Sequence, residues 1–344
     1  MKYADFLKDQ GNIGFVAPSF GCVIEPYRTA FGHALEVLKK KGFTVKLGPN
    51  VYASNGLGIS NTPEKCAAEF EEWYCSGDTD VLISCGGGEL MCEILPHISF
   101  ENLANAPAKW FMGYSDNTNL VFTLTTICDA AAIYGPCGPT FGMEPWHSAI
   151  KDALDLLQGK ILQVGNYDGW EMEGKKDEDH PLEPYTITEP FKLRTWHKGR
   201  EDGDVRMEGR LVGGCLDSLA NLCGTTFDQV EKFAKRYEKD GLIWFLEACD
   251  LDVLSIRRAL WQLDQAGWFR TARGFLIGRP YLYGEEIMGL DQYRAVTDIL
   301  GSYGVPIVMD ADLGHHPPMM PIISGSMGSL ITQGNNLKLT MKLV

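Results

Sequence analysis

The sequence predicts an α/β protein of two domains, and three observations carry that expectation. At 344 residues the chain is too long for one comfortable hydrophobic core. From residue 12 to about 150, short β-branched or aromatic runs alternate with longer helical ones, the signature of a parallel sheet covered by helices. The same alternation resumes near residue 209 after a stretch of different composition. The expected division is an N-terminal domain over 1–150, a linker and charged loop over 151–208, and a C-terminal domain over 209–344.

The elements follow in order. Asn12 to Ala17 reads as a strand ending at Pro18-Ser19, and Pro26 to Lys41 as a helix with Ala30, Ala34, Leu35 and Leu38 at helical spacing, stopped by Gly42. Phe43 to Leu47 is the next strand, Pro63 to Ser76 a second helix, and Asp80 to Ser84 a third strand. Gly86-Gly87-Gly88 then forms a turn whose backbone can approach a ligand closely. Trp110-Phe111-Met112 reads as a buried strand, Gly113 to Asp116 as a tight turn, and Asn117 to Cys128 as a helix.

Between Asp168 and Asp204, 17 of 37 residues are charged, and Pro181, Pro184 and Pro190 interrupt regular structure, so the segment reads as a long loop. Its Trp170, Tyr185, Phe191 and Trp196 argue for partial order and a substrate-facing role. In the second half, Gly209–Gly213, Gly241–Leu246, Gly274–Gly278 and Pro306–Met309 read as strands. Helices are expected over Leu216–Cys223, Asp252–Ala266 and Leu290–Leu300, and a hairpin-like pair over Leu330–Thr332 and Leu337–Met341 closes the chain.

Composition narrows the function. Lys and Arg number 31 against 45 Asp and Glu, a net charge of −14 that argues against a nucleic-acid groove or an anionic membrane surface and favours a small-molecule partner. No run approaches 18 apolar residues, so no membrane span is expected. The start, MKYADFLKDQG, lacks the features of a signal peptide, and no two of the ten cysteines have C-x-x-C spacing. Free thiols, a cytoplasmic location and the absence of a metal site are the corresponding expectations.

Several residues could carry chemistry. A serine on a sharp strand-to-helix turn has its hydroxyl lifted from the backbone, beside the free N–H groups of the helix that follows. Gly113-Tyr114-Ser115-Asp116-Asn117 has that form, although Asn117 replaces the second glycine of G-x-S-x-G, and Ser115 or Asp116 could equally be a helix N-cap. A serine nucleophile needs a base and a carboxylate that orients it. His315, in the loop after the buried strand at 306–309, is the first candidate base, with His316 its competitor. Glu247 ends the apolar run from Leu242 and is the first candidate carboxylate, a structural salt bridge or helix cap being the alternative. The Gly86-Gly87-Gly88 turn could cradle an oxyanion or a phosphate, or be no more than a tight turn.

Taken together, these pieces resemble the S66 family of serine peptidases, the LD-carboxypeptidase and microcin immunity group. The resemblance runs through Ala17-Pro18-Ser19; Gly87-Gly88 with Ile94-Leu95-Pro96; Gly113-Tyr114-Ser115-Asp116; Gly209 to Gly214 with Leu222 to Thr225; Phe245-Leu246-Glu247; and Gly314-His315. It implies a Rossmann- or flavodoxin-like N-terminal domain and a C-terminal α/β domain with the active site between them, in a homodimer. It also implies a metal-free, cofactor-free enzyme in which Ser115 is the nucleophile, His315 the general base and then acid, and Glu247 the residue orienting His315. The backbone N–H groups of Gly88 and Asp116 would form the oxyanion hole, beside Gly87. The implied substrates are murein tetrapeptides or peptidyl and aminoacyl nucleotides, cut at an amide near a free carboxylate. The long loop favours the nucleotide class, with Trp196, or else Trp170, stacking on a base. Departures are Cys215 where relatives often have Asn, Glu89 after the glycines, and Ala248-Cys249 after Glu247. A reading of another class is a catalytically silent binder that holds a nucleotide-like or peptide ligand on the glycine turn and the tryptophan loop.

Overall fold

The computed structural model describes residues 1–56 and 58–344, and the chain divides into two compact units. The first comprises Met1–Ile161 and Glu173–Thr186, the second Leu162–Met172 and Ile187–Val344. This differs from the division expected at 150 and 208. Residues 163–165 and 194–197 of the expected linker pair by hydrogen bonds with 338–340 and 307–309, which draws them into the second unit's sheet. Strand pairing between distant segments is invisible to composition.

In the first unit the elements are β1 (Asn12–Val16), α1 (Tyr27–Lys40), β2 (Thr44–Leu47), α2 (Pro63–Cys75), β3 (Val81–Ser84), α3 (Phe100–Asn105), β4 (Trp110–Gly113), α4 (Thr118–Thr126), β5 (Ala132–Tyr134) and α5 (Ser148–Leu157). Its strands are all parallel, in the order β5-β4-β3-β1-β2. Every residue of β3 and β4 is buried, as a parallel sheet covered on both faces demands. Helix α1 buries Ala30, Phe31, Ala34, Leu35 and Leu38, one apolar stripe at helical spacing, and Phe31 meets Phe15 of β1 edge to face at 5.0 Å. The turns after β1, β3 and β4 all leave the same, carboxyl edge of the sheet, where α/β folds place ligand-binding groups.

The second unit begins with β6 (Gln163–Gly165) and β7 (Gly169–Trp170) and continues with β8 (Glu189–Pro190), β9 (Arg194–His197), β10 (Arg200–Glu201), β11 (Arg206–Cys215), α6 (Leu216–Leu222), α7 (Val230–Arg236) and β12 (Leu242–Glu247). Then come α8 (Val253–Gln265), β13 (Ala272–Gly278), β14 (Glu286–Ile287), β15 (Leu290–Asp291), α9 (Gln292–Leu300), β16 (Ile307–Ala311), β17 (Ile322–Ser324), β18 (Met327–Gln333) and β19 (Asn336–Lys342). Nine strands form one sheet in the order β10-β9-β16-β13-β12-β11-β18-β19-β6. The central β11, β12, β13 and β16 are parallel, while antiparallel strands extend both flanks. The charged segment from 168 to 204 is thus ordered in part, through the β7–β8 and β9–β10 pairings.

All ten cysteines are free, and six of them are buried. Among the described residues, no helix is long and apolar enough to cross a membrane, and no three His, Cys, Asp or Glu side chains converge to hold a metal ion.

Candidate active site

One cluster of candidate residues is built at the carboxyl edge of the first unit's sheet. Strand β4 ends at Gly113, and two residues later Ser115 takes a positive φ of 63°. A non-glycine residue in that region is strained and persists only where its surroundings over-determine it. Here the restraint is visible: the Ser115 N–H donates to the Tyr134 hydroxyl at 3.2 Å. The Asn117 amide donates to Gly86 O at 2.8 Å and to Tyr114 O at 3.0 Å. Asn117 therefore ties the serine turn to the glycine turn, which explains its presence where the sequence pattern expects a second glycine. A Cβ on Gly113 would lie 2.7 Å from the Asn117 side chain, so the residue before the turn must be glycine.

The two helical segments after the turn have Tyr114 and Asn117 at their N-cap positions, neither with a side-chain capping bond. The Asp116 carboxylate is buried and points the other way, accepting from the Ser19 hydroxyl at 2.5 Å, the Met91 N–H at 2.9 Å and the Asn119 amide at 3.0 Å. Burial pushes its pKa up, against those three donors. The glycine turn lies directly beside the serine: a Cβ on Gly87 would meet the Ser115 Oγ at 3.3 Å, and one on Gly88 would meet the Ser19 Oγ at 2.3 Å. Gly87, Gly88, Ser115 and Asp116, four of the residues expected at the site, are thus neighbours in one unit.

Glu247 and His315 lie together in the second unit, at the carboxyl edge of its parallel strands. Glu247 is the last residue of β12, and His315 follows β16 by four positions. His315 Nδ1 and Glu247 Oε2 are 2.8 Å apart, with the carboxylate side chain fully buried. A carboxylate only accepts, so Nδ1 carries the proton and the basic lone pair is on Nε2. Burial disfavours the imidazolium, but the Glu247 charge and a hydrogen bond with the Cys249 thiol outweigh it and hold the His315 pKa well above its ordinary range. Gly314, at φ 103°, makes room for this pair, since a Cβ there would lie 2.6 Å from Glu247 Oε2.

His316, the competing candidate, is fixed elsewhere. It is buried, its ring nitrogens face the carbonyls of Tyr281 at 2.9 Å and Glu171 at 3.2 Å, and burial depresses its pKa.

The two tryptophans of the charged segment lie in different settings. Trp170 retains only 5% of its exposure, with Arg279 over its ring at 4.8 Å and Tyr283 and His316 against it at 4.9 and 5.1 Å. These contacts anchor the ring within the second unit. Trp196 pairs with Ile307 at the start of β16, about 13 Å of strand from Ala311 at the carboxyl end, and a Cβ on Gly301 would meet its Nε1 at 3.3 Å. That strand end is the one away from Glu247 and His315.

Sequence reasoning missed several supporting residues. Asp217, in the first turn of α6, accepts from the N–H groups of Cys249 and Asp250 and so shapes the turn after Glu247. Arg279 and Asp312, both fully buried, form an ion pair ahead of His315, and Asp312 also accepts from the Tyr167 N–H. Lone charged residues beside strand ends were the available signal, but their partners are 32 to 145 residues away in sequence.

Comparison with known proteins identifies the family. Residues 13–135 match the LD-carboxypeptidase N-terminal domain model and residues 208–330 the corresponding C-terminal domain model. The chain belongs to the S66 peptidase family. It is therefore a serine hydrolase of the carboxypeptidase type, and the silent-binder alternative falls. The chain is 25% identical to the microcin C7 self-immunity protein MccF of Escherichia coli, over 95% of this chain and 92% of that one. An MccF-like protein of Bacillus anthracis has a structure that superposes with a TM-score of 0.84 at 20% identity, over 99% of this chain and 100% of that one. MccF in complex with aspartyl sulfamoyl adenosine superposes at 0.79, with 21% identity and 98% of each chain covered. A muramoyltetrapeptide carboxypeptidase of Oxalobacter formigenes superposes at 0.71, with 20% identity and 96% and 99% covered. The two-domain α/β fold read from the sequence is thus the fold of these proteins.

Proposed function

We propose that this S66 hydrolase is a metal-free Ser-Glu-His amidase that cleaves an amide near a free carboxylate in a small, unusual peptide, with aminoacyl or peptidyl nucleotides as the first substrate class. The observation that carries the mechanism is the 2.8 Å contact between His315 Nδ1 and Glu247 Oε2, which fixes the tautomer a general base requires. His315 Nε2 takes the proton of the Ser115 hydroxyl as its Oγ attacks the amide carbon. The tetrahedral oxyanion accepts from the N–H groups of Gly88 and Asp116, a preorganised pair of donors of the kind that lowers such barriers. His315 then gives its proton to the leaving amine. Water, deprotonated by the same imidazole, hydrolyses the acyl-enzyme and releases the carboxylate product and Ser115.

The nucleotide class is supported by full-length similarity to MccF, whose structure holds aspartyl sulfamoyl adenosine. Murein tetrapeptide cleavage is the second reading, favoured by the burial of Trp170, which takes away a stacking surface for a base. We place the activity in a cytoplasmic homodimer. Mass spectrometry of the protein and its Ser115→Ala variant, incubated separately with aspartyl sulfamoyl adenosine and a murein tetrapeptide, tests the proposal. Release of aspartate by the parent alone establishes the nucleotide class, and release of terminal D-Ala the murein class. Equal turnover by Ser115→Ala overturns the mechanism, since loss of a triad nucleophile costs on the order of 10⁴ to 10⁶ in kcat.

A further inference from the structure

We propose that the Asp116 carboxylate is a positioning residue that sets the oxyanion hole, a role separate from that of its backbone N–H and resting on the reading of Ser115 as the nucleophile. The argument begins with topology. Three turns leave the carboxyl edge of adjacent parallel strands: 17–19 after β1, 85–91 after β3 and 114–119 after β4. Turns of this kind are held to the sheet at one end only, so their separation depends on contacts between them.

One side chain makes such contacts to all three. Asp116 Oδ2 accepts from the Ser19 hydroxyl at 2.5 Å and from the Met91 N–H at 2.9 Å, while Oδ1 accepts from the Asn119 amide at 3.0 Å. Asn119 also donates to Asp116 O at 2.9 Å, which holds the next peptide, between Asp116 and Asn117. Gly88 is held against the same oxygen: a Cβ on it would lie 2.3 Å from the Ser19 Oγ and 3.4 Å from Asp116 Oδ2. The carboxylate thus fixes both segments that supply N–H groups, at 88 and at 116.

A buried charge next to a developing oxyanion would by itself oppose the reaction. Its retention is intelligible if geometry matters more than that repulsion. Three donors and the N-terminal end of the helical segment starting at Ser115 offset the charge, and the ionised carboxylate accepts at two oxygens at once, which an amide cannot do. An asparagine at 116 would set its own NH₂ against the Asn119 amide donor.

The experiment measures the second-order rate at which a fluorophosphonate labels Ser115, followed by intact mass and peptide mapping, together with the Tm of each variant. Phosphonylation needs both the activated hydroxyl and the oxyanion donors, whereas a residue needed only for folding lowers Tm and leaves the rate of the folded protein unchanged. Displacement of an oxyanion donor predicts about 10²-fold slower labelling in Asp116→Asn and about tenfold in Ser19→Ala. Ser19→Ala removes one bond of the clamp while leaving Asp116 in place, and it decides the matter if Asp116→Asn does not fold. Labelling of folded Ser19→Ala within threefold of the parent, or faster labelling of Asp116→Asn, overturns the proposal while the nucleophile assignment stands. A parent protein that is not labelled at Ser115 refutes that assignment and the proposal with it.

Discussion

Replacing Glu247 by Gln probes the site at its most restrained contact. The carboxylate lies 2.8 Å from His315 Nδ1 and its side chain has no exposure, so solvent screens the pair little. An opposite charge at this range favours the imidazolium over the neutral ring. In the parent, His315 titrates well above its ordinary value. A base must be neutral, so kcat/KM rises with pH and inflects above pH 6.5. In Glu247→Gln the inflection moves down, because the charge that favours the imidazolium is gone. The rate on the plateau also falls, by about 10³ to 10⁴, because the amide no longer enforces the Nδ1–H tautomer.

Stability carries the same signature with a definite sign. The folded chain binds the His315 proton more tightly than the unfolded chain. The pair's contribution is therefore fully present below the unfolded value of about 6.5 and is lost as pH rises through the higher folded one. Nitrogen-15 NMR titration of the imidazoles, with His315 assigned by its absence in His315→Ala, gives the pKa directly. A His315 pKa that does not fall in Glu247→Gln refutes the reasoning, whatever happens to the rate.

Three further outcomes follow from particular contacts. Gly314→Ala places a methyl 2.6 Å from Glu247 Oε2 at φ 103°, so kcat is expected to fall at least tenfold with the protein still folded, measured beside a thermal melt. Asp312→Asn leaves the buried Arg279 without its anionic partner and is expected to cost about 3–5 kcal/mol in denaturant unfolding. The double change Arg279→Met with Asp312→Leu recovers much of that loss. Trp170→Ala removes a buried ring and is expected to cost about 3–5 kcal/mol; a rise in KM with unchanged stability would instead restore the substrate-contact reading.

Much of this architecture was legible because the signals are local. Strands such as Leu242–Glu247 announce themselves as apolar runs, α1 as a stripe at helical spacing, and the serine turn by its place between a buried strand and a helix. Ser115, Glu247 and His315 stand out as candidates from the residues contiguous with each, whereas Gly88 and Asp116 as oxyanion donors follow from the family resemblance alone. The unread parts depend on distant partners. Residues 194–197 become a strand because Ile307 to Met309 offer them an unpaired edge, and nothing within the charged segment encodes that edge. Trp170 looked like an exposed aromatic in a polar loop; the cation that covers it, Arg279, is more than a hundred residues away.

The two clusters of candidate residues, one in each unit, solve the same physical problem by different means. In the first unit the strained Ser115 is held by hydrogen bonds: its N–H donates to the neutral Tyr134 hydroxyl and the Asn117 amide ties its turn to Gly86, while the Asp116 carboxylate braces the neighbouring turns. In the second, the base is held by charge, and that charge is confined by glycine at 314 and by the turn that Asp217 shapes. The difference matches the demands on each group. A serine hydroxyl stays neutral until it reacts, so orientation is what the fold must supply, and hydrogen bonds orient at little electrostatic cost. A histidine that must accept a proton needs its cationic form stabilised, which only an opposite charge in a dry setting can do strongly. Substitutions around Ser115 should therefore reduce rate without moving the pH profile, and substitutions around Glu247 should move the profile as well. A change at Asn117 that shifted the inflection, or one at Glu247 that did not, would show that this division is wrong.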